Sequence, residues 1–138
     1  MAWTAAIALL AVAGSGVPAP KYGIWECHMQ SMMRCPRDGG CSEVPVEPGF
    51  LRLDVAMGPE KALYSHCSEG KAGDDCTVES ATVSSQPSVM VFHIASGLWW
   101  ARLARDWTVT EMVNYPDLTL IAFGKCQSGP AIVHAEVP

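Results

Sequence analysis

Apolar and polar positions alternate along most of this chain in short runs that stop at Gly, Pro or Asp. Residues 22–30 (YGIWECHMQ) put Trp25, Cys27 and Met29 on one face of an extended segment. Residues 50–55 (FLRLDV) set Leu51 and Leu53 on either side of Arg52, and residues 61–67 (KALYSHC) form a third run. A weaker run over 76–83 precedes a strong one over 89–94 (VMVFHI). Residues 98–103 (LWWARL), 107–115 and 118–126 (LTLIAFGKC) complete the series. Gly58-Pro59, Gln86-Pro87, Ser96-Gly97, Arg105-Asp106 and Pro116-Asp117 mark the turns, and the Pro-, Gly- and Ser-rich residues 31–49 read as one long loop. Aromatic and β-branched residues gathered in runs of this length favour strands over helices. Short strands joined by tight turns predict an all-β fold. The expected form is an antiparallel up-and-down meander of about eight strands, a closed or nearly closed barrel stapled by disulfides.

Residues 1–20 (MAWTAAIALLAVAGSGVPAP) break this pattern. The apolar stretch 5–13 is too short for a membrane span, which takes about 20 apolar residues. Small residues and then Pro18 and Pro20 follow it, and the first charged side chain is Lys21. This layout predicts a secretory signal peptide cut after the 13–15 or the 17–19 tripeptide, although its start carries no Lys or Arg; an N-terminal core helix is the alternative. The expected organisation is a signal peptide over 1–20, a stapled β domain over 21–127 and a loose tail over 128–138. The expected location is periplasmic or extracellular, with no membrane span in the mature chain.

The cysteine count changes the picture further. Cys27, Cys35, Cys41, Cys67, Cys76 and Cys126 all follow the leader and are even in number, which in an exported chain reads as three disulfides. Six cysteines allow fifteen connectivities. Cys35 and Cys41 flank CPRDGGC, whose Gly-Gly turn lets them meet, and Cys67 and Cys76 flank the polar loop SEGKAGDD. Cys27 and Cys126 then remain as a pair that would clamp the first strand to the last. A zinc or redox centre is poorly supported, because there is no C-x-x-C and no closely spaced His pair.

Charged residues make up 17% of the chain and the net charge is −5, with no Lys/Arg run. A nucleic-acid surface is therefore not expected. Nucleotide-loop, zinc-protease and serine-hydrolase motifs are absent from the sequence, and no cofactor is called for. His28, Met29, Met32 and Met33 combine soft ligands suited to Cu(I), against the alternative that the methionines fill core. His66 stands beside Cys67, but a disulfide there would remove the thiol. His93 reads as an ordinary strand residue and His134 lies in the tail. Glu69, Asp74 and Asp75 share a polar loop with no EF-hand spacing. Trp99 and Trp100 are adjacent and so point to opposite faces of a strand. With Arg102, which shares a face with Trp100, and Trp107 nearby, they are the candidate binding residues.

The frame W-E-C (25–27), C-P-R-D-G-G-C (35–41), Y-S-H-C (64–67), A-R-L (101–103), T-E-M-V (110–113) and F-G-K-C (123–126) resembles uncharacterised small exported six-cysteine bacterial β-rich proteins over most of the mature chain. A weaker resemblance is to the periplasmic membrane-bound C-type lysozyme inhibitors, small eight-stranded barrels with an early and a late Cys and an S-G-x-x-Y inhibitory loop. Here Ser96-Gly97-Leu98-Trp99-Trp100 keeps Ser-Gly but has Trp in place of Tyr, so no inhibitory role passes to Ser96. The expectation is an exported, non-enzymatic binding or interaction module for a protein or small-molecule ligand. An inhibitor of a cell-wall hydrolase and a copper-handling protein are the alternatives.

Overall fold

The computed structural model describes residues 23–68, 75–94 and 97–128. The expected leader, Glu69, Asp74, Ser96 and residues 129–138 with His134 lie outside the described residues, whereas Ser128, expected in the tail, is a strand residue. Nine strands run as β1 (Ile24–Pro36), β2 (Ser42–Val44), β3 (Phe50–Asp54), β4 (Ala62–Ser68), β5 (Asp75–Gln86), β6 (Val89–Ile94), β7 (Trp99–Ala104), β8 (Thr108–Asn114) and β9 (Leu118–Ser128). All pairings are antiparallel between chain neighbours, except that β1 skips β2 to reach β3 and also pairs with β9. That last pairing closes an eight-strand barrel, with β2 as an additional strand. Closure removes the free edges that a flat meander would expose.

The long loop expected over 31–49 is instead strand for much of its length. β1 continues to Pro36, and Met32, Met33 and Arg34 pair with Val44, Glu43 and Ser42 of β2. The Pro and Gly residues that suggested a loop occupy the turn between β1 and β2 and the connection over 45–49. One edge of β1 serves β9 along nearly its whole length. The other serves β3 over Ile24–Cys27 and β2 over Met32–Arg34.

A bulge in β1 falls between Met29, opposite Gly124, and Ser31, opposite Phe123. The extra residue shifts the alternation by one, so Met29 and Met32, which a regular strand would turn to opposite faces, both face the interior. Gly124 is required there, because a Cβ on it would sit 2.3 Å from the carbonyl oxygen of His28.

The interior is the alternating face of every strand: Trp25 and Cys27, Leu51 and Leu53, Ala62 and Tyr64, Met90, Phe92 and Ile94, Ala101 and Leu103. Each disulfide joins neighbouring antiparallel strands or the turn between them. Cys27–Cys126 lies in the core and closes a span of 99 residues, Cys35–Cys41 spans 6 and Cys67–Cys76 spans 9. The chain-entropy model assigns about 4.7 kcal/mol to a loop of the longest kind and roughly 2–3 to the short ones.

The antiparallel register gives the barrel two distinct ends. At one, Trp25, Val55, Leu103 and Val109 are fully packed. Trp107 packs against Trp25 there, its ring centroid 6.4 Å from that of Trp25. At the other end stand the starts of β3, β5, β7 and β9 and the ends of β1, β4, β6 and β8.

Candidate functional site

A cavity of about 720 Å³ occupies this second end. Its walls include Met29, Met32, Val44, Val46, Trp99 and Leu120, and its polar lining includes His66 and Glu111. The connection over 45–49 forms one side. Gly49 makes that course possible: its φ is +130°, and a Cβ there would sit 2.3 Å from the Cys67 carbonyl oxygen, so the chain enters β3 with its backbone against the end of β4.

Three polar side chains meet in the barrel interior at this end. Tyr64 and His66 share the inner face of β4 by the two-residue period, and Glu111 holds the matching position on β8 between the buried Val109 and Val113. The Tyr64 hydroxyl donates to Glu111 Oε1, and His66 Nε2 donates to the same oxygen at 2.6 Å. A carboxylate only accepts, so this contact puts the imidazole proton on Nε2. Trp99 packs edge-on against His66 at 4.4 Å and lies 6.2 Å from Tyr64, both centroid distances. The Tyr64 phenol is pushed far above its usual range, first by burial and then by the Glu111 charge beside it. It is therefore a permanent neutral donor. Tyr64 is fully buried and Glu111 nearly so, while the His66 side chain is 36% exposed. The cavity floor is a carboxylate held by two donors, with the imidazole reaching toward solvent.

The four residues expected to form a binding face do not share one surface. Trp99 turns inward and joins the cavity wall. Trp100 and Arg102 lie on the outer wall of β7, opposite Met112 and Thr110 of β8. Trp107 caps the far end of the barrel in the turn before β8 rather than within that strand. It holds φ at 64°, and its carbonyl accepts from Cys126 N at 2.8 Å. The cation–π contact of the outer surface joins Arg52 to Phe50, at 5.3 Å, and not Arg102 to Trp100.

The soft-ligand set divides as well. Met29 and Met32 line the cavity. His28 faces outward, 3.0 Å from Glu26 Oε1, and Met33 pairs with Glu43 and Ile121 on the outer face. The strand places these four side chains on both sides of the sheet, so they do not form one site. Among the described residues no three His, Cys, Asp or Glu side chains converge as a metal site would require. No helix among them is long and apolar enough to cross a membrane. Cys67 is bonded to Cys76, which removes the thiol beside His66.

The sequence reading passed over Tyr64 and Glu111 and set His66 aside. One signal was present: in TVTEMVN the inward positions read Val, Glu, Val, and a carboxylate on an apolar face calls for a partner. The partner lies 45 and 47 residues away, and only the barrel brings it near. Comparison with protein-family models, with curated proteins and with solved structures finds no match.

Proposed function

We propose that the protein is an exported, non-enzymatic binding module that receives a small-molecule ligand in the cavity at the open end of the barrel. The observation that carries this reading is the cavity itself. At about 720 Å³, with apolar walls and a few convergent polar groups, it has the size and make-up of a small-molecule site. Three disulfides with no free cysteine among the described residues support an oxidising compartment. The reading is non-enzymatic because His66 has a bonded cystine, not a thiol, for its neighbour, and Glu111 is already engaged by two donors.

Intact mass of protein recovered from the exported fraction tests both halves of the proposal. The expected denatured, non-reduced mass is that of a chain shortened at its start and lighter by the hydrogens of three disulfides. The expected native mass includes a ligand that is lost on denaturation and is not retained by Trp99→Ala. A full-length chain with free thiols would overturn export. Failure of wild-type protein to retain any adduct, together with no thermal stabilisation by a small-molecule library, would overturn the binding reading.

A further inference from the structure

Resting on that reading, we infer that the cavity takes a small organic cation, an ammonium group carried on an apolar tail, with the charged head against Glu111 and Trp99. Glu111 is nine-tenths buried and lines the cavity. The hydrogen bonds from Tyr64 and His66 both land on Oε1. An ionised carboxylate has two oxygens and about four acceptor positions, so Oε2 retains the capacity to accept from a guest. The single hydroxyl proton of Tyr64 is already committed to Glu111. At Oε2 of Glu111 the floor thus offers an acceptor, and its complement is a donor.

The aromatic wall points the same way. An indole face is the strongest side-chain partner for a cation, and the attraction grows where water is excluded. Trp99 meets His66 with the two ring planes at 83°, lies near Tyr64, and lines the same cavity as the buried carboxylate. The rim carries Arg34, Glu47 and Asp75, all exposed. Arg34 would welcome an anionic head, but it shares the rim with two carboxylates, and solvent and salt screen all three. The nearly buried Glu111 is screened far less and dominates the field where the head of a ligand would sit. Met29 and Met32 give the tail an adaptable apolar wall, since thioethers repack around irregular shapes.

Titration calorimetry of the disulfide-bonded protein with hexylammonium, 1-hexanol and hexanoate, three heads on one tail, tests the inference. Hexylammonium is expected to bind about tenfold tighter than the alcohol, and hexanoate weakest. Glu111→Gln is expected to remove that tenfold advantage, so that the variant binds hexylammonium no tighter than 1-hexanol. The wild-type order alone decides the matter if the variant does not fold. Hexanoate binding as tightly as hexylammonium, or all three binding alike, would overturn the cation while Trp99→Ala sensitivity kept the cavity as the site. Binding by none of the three would overturn the cation, and the library screen with native mass would then decide the cavity reading separately.

Discussion

At one end of the barrel Trp25 lies beneath Trp107, among Val55, Leu103 and Val109, with the Cys27–Cys126 bond alongside. At the other, Trp99 stands beside Tyr64, His66 and Glu111 at the edge of a cavity. The same strands supply both ends, so strand composition alone does not account for the difference. Two local devices do. The bulge in β1 turns Met29 and Met32 inward together before β1 goes on to pair with β2, and Gly49 lets the 45–49 connection enter β3 close against the end of β4. The first end is filled by side chains and held by a covalent tie. The second is lined by side chains such as Met29, Met32 and Trp99 and keeps space between them. Stability is therefore expected to concentrate at the packed end and binding at the open one.

The sharpest way to break this comparison is to remove the tie. Replacing Cys27 and Cys126 together with Ser is expected to cost about 4–5 kcal/mol by the loop-entropy argument, read from denaturant midpoints under non-reducing conditions. Removing Cys35–Cys41 at the open end should cost less, because its loop is far shorter. Trp25→Ala comes next, at about 3–5 kcal/mol, since it empties a packed site that its neighbours cannot refill. A loss below ~1 kcal/mol would mean that the packed end is not where stability resides.

Tyr64→Phe should cost about 1.5–3 kcal/mol, the worth of a hydrogen bond to a charged group, because Glu111 then keeps His66 as its remaining donor. The smallest effect is a pH dependence. The folded Tyr64 phenol stays protonated where an unfolded one, with its pKa of about 10, ionises. The unfolded state then binds fewer protons, so the stability Tyr64 contributes is complete below about pH 10 and falls by about 1.4 kcal/mol per unit above it. Chemical denaturation of wild type and Tyr64→Phe between pH 9 and 11 should show the shallower slope in the variant. Equal slopes would mean that the phenol reaches solvent and that the open end is looser than its hydrogen bonds imply.

Much of the fold was legible because it depends on local rules. Val109 and Val113 alternate with polar neighbours in β8, Leu51 and Leu53 do so in β3, and Gly and Pro punctuate the chain between strands. The site was far less legible. The two-residue period separates Trp99 from Trp100 in the sequence, but only the barrel decided that Trp99 faces inward and that the length of β7 carries Trp107 to the other end. The extension of β1 was hidden by the Pro, Gly and Ser residues of 31–49, whose turn chemistry masks a strand that gains its partners from β2 and β9.

By itself the sequence determined that this chain makes short strands in an antiparallel order and that Cys27 and Cys126 lie at the two ends of that order. Periodicity, turn residues and the position of cysteines are local properties, and a strand expresses them wherever its neighbours come from. Only the tertiary structure decided that β1 meets β9 across a bulge and that β2 joins as an extra strand. It alone brought Tyr64 and His66 to the Glu111 carboxylate at the floor of a cavity. Those outcomes depend on barrel closure, which sets how far each strand is staggered against the next and so which distant side chains share a level inside.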